Sequence, residues 1–449
     1  MGLLKKGISI TMALAIGFSA AMSTKIVQAD KNSSQNKQVV TLGIENIDKH
    51  MKLFEGKRVG LITNATGVDS NLKSSVDIMN EKTNLTALFA PEHGIRGAAQ
   101  DGEKIPGGEI DPVTGLPIYS LYGKTNKPTA EMLENIDTIV FDIQDVGARF
   151  YTYVSTMAYA IESAIENEKD FVVLDRPNPI GGDVEGFKSD AYSFIGLYPT
   201  VQEHGMTAGE WALYIFEEFI KPKYEEKGVE IKTNVDVVKL EGWNRNMYYE
   251  DTNLPWVQPS PNMPTVDTAL VYTGTCVFEG TNVSEGRGTT KPFENIGAPF
   301  IKDPFALAKK MNSYGLEGVT FRPTSFKPSF NKFANENCNG VQLHVTDRDK
   351  FDAVKAGLVL MFTIQEMYPD DFKYKDNTKP GVASDIDLRI GIMDFTDRLA
   401  KGEFTKEDII NSVEKGGEEF KKETQKYYLY QVKNNGSDKG NGNKNGHNK

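Results

Sequence analysis

Between about residues 57 and 180, short apolar, β-branched runs alternate with stretches of helical spacing, and no other feature of the chain constrains its fold as strongly. The runs "KRVGLIT", "LTALFA", "DTIVFDI" and "DFVVLD" are apolar enough to be strands buried on both faces. The intervening "SSVDIMNE", "TAEMLEN" and "YVSTMAYAIESAIEN" set apolar residues at helical intervals. This rhythm predicts an α/β fold with a mainly parallel sheet flanked by helices. Each predicted strand runs out into polar or glycine-rich sequence: Thr63 and Asn64, then Glu92 and His93, then Asp142 to Gly147, then Asp175 to Asn178. In an open parallel sheet the carboxyl ends of the strands share one edge, where ligands bind, so the four clusters are expected to converge.

Further on, Thr207 with Glu210 forms a capping box ahead of "WALYIFEEFI". A proline-rich passage, Leu254 to Thr265, is expected to cross from a catalytic domain over residues 40–260 to a smaller α+β domain over residues 265–432. There "ALVYTGTCVFEG", "GVTFRPTSF" and "GVQLHVT" read as strands, "KFDAVKAGLVLMFTIQEMY" as a long amphipathic helix, and Gly280 to Pro292 as a long loop. The opening segment carries lysines, an apolar stretch and small residues up to Ala29. It reads as a secretory signal over residues 1–29, so the mature chain is expected outside the cytoplasm without a membrane anchor. Residues 433–449 read as a disordered tail, because "NNGSDKGNGNKNGHNK" has almost nothing to bury. A formal net charge of -11 argues against nucleic acid as a partner. Cys276 and Cys338 have no metal-type spacing, and either a disulfide or two buried thiols would fit them.

Among the polar clusters, Glu92 combines a place after a strand with His93 and Arg96 as neighbours, which suits a carboxyl tuned for proton transfer; a helix-capping turn is the plain structural alternative. "FDIQDVGARFYTY" offers Asp142, Asp145 and Arg149, with Tyr151 and Tyr153 behind. Glycoside hydrolysis needs two carboxyl groups flanking the scissile bond, and neighbouring strand ends can supply them; a structural ion pair is the competing reading. "LDRPNPIGGDVEG" adds Asp175, Arg176 and Asn178, and His204 stands just before a helix start. "FEGTNVSEGRGTTKPFE" presents Glu279, Asn282, Glu285 and Arg287 on a loop, where the arginine can grip an anionic group in forked geometry. His93, His204 and nearby acids lack the spacing of a metal site, no H-E-x-x-H, G-x-S-x-G or Walker motif occurs, and Ser70 to Lys73 matches S-x-x-K without its S-D-N or K-T-G companions. No cofactor is therefore expected.

Taken in order, "GLITNATGVD", "LFAPEHGIRG", "FDIQDVGARFYTY", "LDRPNPIGG", "HGMTAGE" and "EGTNVSEGRGTTKPFE" resemble the bacterial exo-β-N-acetylmuramidases, formerly a domain of unknown function, and the Bacillus members closely. The resemblance covers residues 40 to 432. It implies a Rossmann-like N-terminal domain, a smaller C-terminal domain and an active site in the cleft between them, with neither metal nor nucleotide. The implied activity removes terminal β-1,4-linked N-acetylmuramic acid from the non-reducing ends of peptidoglycan fragments, and Glu92 is the implied catalytic acid. On this reading Asp142 or Asp145 is expected to face Glu92 across the sugar, with Glu285 as the rival. Arg149, Arg176 and Arg287 are the candidates for reading the lactyl carboxylate. Asn64, His93, Arg96, Tyr151, Asp175, Asn178, His204, Glu279 and Asn282 complete the expected substrate-binding set. The competing functions are a non-catalytic muropeptide-binding protein and a metal-dependent hydrolase.

Overall fold

Each of the four predicted runs forms a strand. In the computed structural model of the chain, which describes residues 40–95, 103, 107–376, 379 and 381–432, the first half builds one mixed sheet. Its elements are β1 (Arg58–Thr63), α1 (Ser75–Lys82), β2 (Asn84–Ala90), β3 (Glu109–Ile110), β4 (Pro117–Ser120), β5 (Thr138–Asp142), α2 (Thr152–Glu166), β6 (Asp170–Leu174), α3 (Ala208–Ile215), α4 (Lys221–Glu225) and β7 (Val235–Val238). The strand order is β3-β4-β2-β1-β5-β6-β7, parallel throughout except for the short β3 at one edge. "TAEMLEN" forms only turns, and β3, β4 and β7 are strands that the apolar pattern did not mark.

Side-chain alternation explains why these runs are apolar without interruption. Ile62, Phe89, Ile139, Phe141, Phe171 and Val173 belong to one buried cluster with α2 and α3. Their sequence neighbours Leu61, Leu88, Val140, Val172 and Leu174 belong to a second cluster, on the other face. The chain runs from β1 to β2 on one side and returns to β5 on the other, so the strand order reverses at β1. Register brings Thr63 level with Asp142 and Ala90 level with Ser120, which puts the loops after β1, β2, β4 and β5 at one edge.

The second half continues with α5 (Val266–Thr275), β8 (Asn295–Ala298), α6 (Pro304–Ser313), β9 (Val319–Phe326), β10 (Cys338–Val345), α7 (Ala353–Met367), α8 (Asp385–Ile390), α9 (Phe395–Ala400) and α10 (Lys406–Thr424). Here β8, β10 and β9 make a small antiparallel sheet in that order. "ALVYTGTCVFEG" is helix α5 followed by a 3-10 turn, against the strand expected: tertiary packing of Ala269, Leu270, Val271 and Tyr272 into the shared core overrides the β-leaning composition. The first cluster includes residues of both halves, Phe141 as well as Val341 and Ile364. Cys276 and Cys338 are both free and buried. Among the described residues no helix is long and apolar enough to cross a membrane. The expected signal segment and tail lie outside the described residues.

Candidate active site

The chain leaves β2 at Ala90, whose carbonyl accepts the Leu121 N–H at 2.8 Å. Two residues on, Glu92 turns into a buried position and His93 takes a left-handed backbone with φ 70°. That conformation is unfavourable for a residue with a Cβ and marks a turn held by its surroundings. The Thr152 hydroxyl donates to Glu92 Oε2 at 2.5 Å. Thr152 is the first residue of α2, so the carboxyl is fixed beside the start of that helix.

Glu92 and His93 line a cavity of about 240 Å³ together with Tyr122, Tyr151, Thr152 and Tyr153 from the first half. Tyr272, Glu279, Arg287, Phe293 and Arg389 come from the second. The aromatic walls lock edge to face: Tyr151 meets Tyr153 at 5.2 Å and Tyr272 at 6.0 Å, and Tyr272 meets Phe293 at 4.6 Å. Phe293 is also left-handed, with φ 62°. Burial pushes the phenols of Tyr151, Tyr153 and Tyr272 well above their ordinary range, so all three stay neutral.

Charge in this apolar surround is arranged as a ladder. Arg389 Nε and Nη2 reach Glu279 Oε2 at 2.8 and 2.5 Å. Arg287 bonds the other oxygen of Glu279 and lies 3.4 Å from Glu285, which Lys332 pairs at 2.9 Å. Three cations against two carboxylates leave this ladder one positive charge. Burial raises the Glu279 carboxyl, but the flanking guanidiniums of Arg389 and Arg287 outweigh it and hold the group far below the usual carboxylate range. Glycine makes the Glu279–Arg389 contact possible. A Cβ on Gly280 would stand 2.7 Å from Ile386 Cα, so only a bare backbone lets α8 approach closely enough to bring Arg389 in.

The other expected site residues are placed elsewhere. Asp142 is corrected: its carboxylate is fully buried, bonded by Ser75 and paired with Arg176 at 2.6 and 3.0 Å, and it does not line the cavity. Removing one partner of such a pair costs about 3–5 kcal/mol, so neither Asp142 nor Arg176 is available to a substrate. Arg149 is spent on the carbonyls of Thr200, Leu388 and Arg389, the last two at the C-terminal end of α8. Asp175 is a hub for Tyr430, Thr207 and Gly209, and Asn178 bonds Met206 and Ile180. Burial, then the nearby Arg245, depress His204 to about 3; it is a neutral imidazole and does not line the cavity. Asn282 ties its loop to Asp371 and Lys373, and Asn64 accepts from Thr66. Glu285 is a member of the ladder rather than of the cavity lining. Arg96 lies outside the described residues.

Asp145 stands behind the tyrosines. Its Oδ1 accepts the Gly147 N–H at 2.9 Å, while Oδ2 is buried without a partner. Burial pushes this carboxyl up to about 7, against a smaller pull from the Gly147 and Val146 amides. A folded-state value above the unfolded one means a stabilising contribution present at low pH and lost as pH rises through about 7. Asp145→Asn cannot ionise, so its melting temperature is expected to gain on the wild type between about pH 5 and about pH 8.5. Scanning calorimetry at both values checks this, and a constant difference would refute it.

Nothing in the local sequence marks Arg389 or Thr152 as a site residue on its own. Thr152 lies within a polar motif and was within reach, whereas "DIDLRIG" around Arg389 carries no signal. Among the described residues no group of three or more His, Cys, Asp or Glu is placed to hold a metal.

Two family models account for nearly all the described chain. Residues 59–267 match the N-terminal part of exo-β-N-acetylmuramidase NamZ, and residues 270–430 match its C-terminal part. The chain is 50% identical over 406 residues to the peptidoglycan β-N-acetylmuramidase NamZ of Bacillus subtilis, covering 89% of this chain and 94% of that one. Two crystal structures of DUF1343 family proteins from Bacteroides fragilis share the fold. One has a TM-score of 0.75 at 38% identity, covering 87% of this chain and 99% of that one; the other has 0.68 at 29%, covering 88% and 100%. With matches of this extent on both halves, the chain belongs to the exo-β-N-acetylmuramidase NamZ family.

Proposed function

We propose that this chain is a secreted exo-β-N-acetylmuramidase that hydrolyses terminal, non-reducing β-1,4-linked N-acetylmuramic acid from peptidoglycan fragments during cell-wall turnover and recycling. The observation that carries the reading is a cavity the size of one amino sugar that holds a carboxyl fixed by a helix terminus, Glu92, together with a guanidinium pair, Arg287 and Arg389. Glu92 protonates the glycosidic oxygen as the bond to the anomeric carbon breaks. The guanidiniums bind the lactyl carboxylate, the group that separates this sugar from N-acetylglucosamine. The lysines and apolar run of the opening segment support secretion.

The second chemical role falls to the substrate. Among the described residues two carboxylates line the cavity, and Glu279 is clamped by two guanidiniums, which makes it a weak base and nucleophile. The substrate's 2-acetamido oxygen, bonded to the same sugar ring, can attack the anomeric carbon instead, as in other substrate-assisted glycosidases. Such a double displacement keeps the configuration. Hydrolysis of p-nitrophenyl β-N-acetylmuramide followed by proton NMR tests both statements: nitrophenol should appear with the β-anomer of the free sugar first. No turnover would sink the muramidase reading, and an α-anomer first would sink the acetamido role.

A further inference from the structure

The catalytic cavity does not end at Arg287. Asn262 lines both it and a second, open groove of about 640 Å³, so the two spaces adjoin at this residue. The groove is walled by Ser325 and Phe326 at the end of β9, by Lys327, Ser329 and Phe330 just after it, and by residues 288–290. Two observations mark it as a place for a ligand. Asn262, which borders both spaces, is 5% exposed and its buried side-chain nitrogen has no hydrogen-bond partner. Phe330, a large apolar ring, is 42% exposed.

The segment that follows this wall is bolted down. Asn331, Phe333 and Asn335 all have left-handed backbones, with φ 67°, 56° and 64°. Between them Lys332 Nζ reaches the carbonyls of Phe278 at 2.6 Å and Val283 at 3.0 Å and Glu285 Oε2 at 2.9 Å. The Ser329 N–H donates to the Gly288 carbonyl at 2.9 Å. A Cβ on Gly288 would stand 2.7 Å from the Phe330 carbonyl, so the close approach of the two segments depends on glycine. The anchors here belong to the loop that carries Glu279 and Arg287, which fixes the groove relative to the catalytic cavity.

An enzyme that takes one terminal sugar into a small cavity must leave the rest of the chain somewhere. We infer that this groove binds the leaving glycan strand, the alternating N-acetylglucosamine and N-acetylmuramic acid residues on the reducing side of the scissile bond. The inference rests on the muramidase reading. Phe330 offers a ring for the apolar face of a sugar, Asn262 a donor for an acetamido carbonyl, and Lys327 a cation for the lactyl carboxylate that recurs on every second residue. Binding of remote sugars then lowers the barrier at the scissile bond, and longer chains are better substrates.

The test compares kcat/KM for p-nitrophenyl β-N-acetylmuramide, the peptide-free disaccharide and a peptide-free tetrasaccharide, each with N-acetylmuramic acid at the non-reducing end. In the wild type the tetrasaccharide should exceed the disaccharide by about tenfold; Phe330→Ala and Lys327→Ala should erase that advantage and leave the aryl glycoside unchanged. Equal values for the two oligosaccharides, an equal loss on all three substrates, or a gain seen only when stem peptides are attached would overturn the inference. Failure of the wild type to turn over any substrate would sink the muramidase reading instead. Calorimetric binding of the tetrasaccharide, kept by the wild type and lost in Phe330→Ala, would still support the groove, and its retention in the variant would overturn it.

Discussion

Glu92→Gln is expected to lower kcat on N-acetylmuramyl oligosaccharides by about two to four orders of magnitude, the usual worth of a positioned general acid. Glutamine keeps the size of the side chain and an oxygen that can accept from Thr152, so the helix-terminus contact survives. Only the transferable proton is lost. The loss should shrink with the leaving group: p-nitrophenolate departs with little protonation, so the aryl glycoside should be hurt less than the disaccharide. Steady-state rates on both substrates, with melting temperature as a check on folding, decide the matter. A folded variant with near-normal turnover of the disaccharide would remove Glu92 from the chemistry.

The second large effect concerns the anion. A cavity whose buried guanidiniums lose their ligand is left with poorly compensated charge, so the matching aryl N-acetylglucosaminide is expected to have kcat/KM lower by about a thousandfold or more. Arg389→Met should lower kcat/KM on the muramide by about a hundredfold and barely change the glucosaminide, narrowing the ratio from one side. Arg389 rather than Arg149 or Arg176 is the residue to alter, because it lines the cavity and the other two do not. Comparable rates of the wild type on both sugars would overturn the anion-reading role, and equal losses on both in the variant would assign Arg389 to structure alone.

These outcomes separate what could be read along the chain from what could not. The four strand runs of the first half, the spacing of α1 and α2 and the Thr207 capping box depend on neighbours within a few residues. They were legible because burial on two faces demands uninterrupted apolar side chains and a helix start demands its cap. Convergence of Glu92 with the polar ends of other strands followed from the parallel sheet, since that topology delivers every carboxyl end to one edge. Which of the polar groups at that edge are free for chemistry did not follow. Asp142, the last residue of β5, and Asp145, in the loop after it, sit three residues apart with the same side chain. One is neutralised by Arg176 and Ser75 and the other is left with an unpartnered oxygen, a difference made wholly by residues distant in sequence.

The amino-acid sequence by itself determined the α/β scaffold, the edge at which the site forms and the family, because each is written in local periodicity or in long unbroken motifs. The tertiary structure alone decided the partners of each charge. Arg389 meets Glu279 across 110 positions only because Gly280 lets α8 come close, and Arg176 meets Asp142 across 34. Electrostatic pairing depends on distance and burial in three dimensions, and neither is encoded in the spacing of residues along a chain.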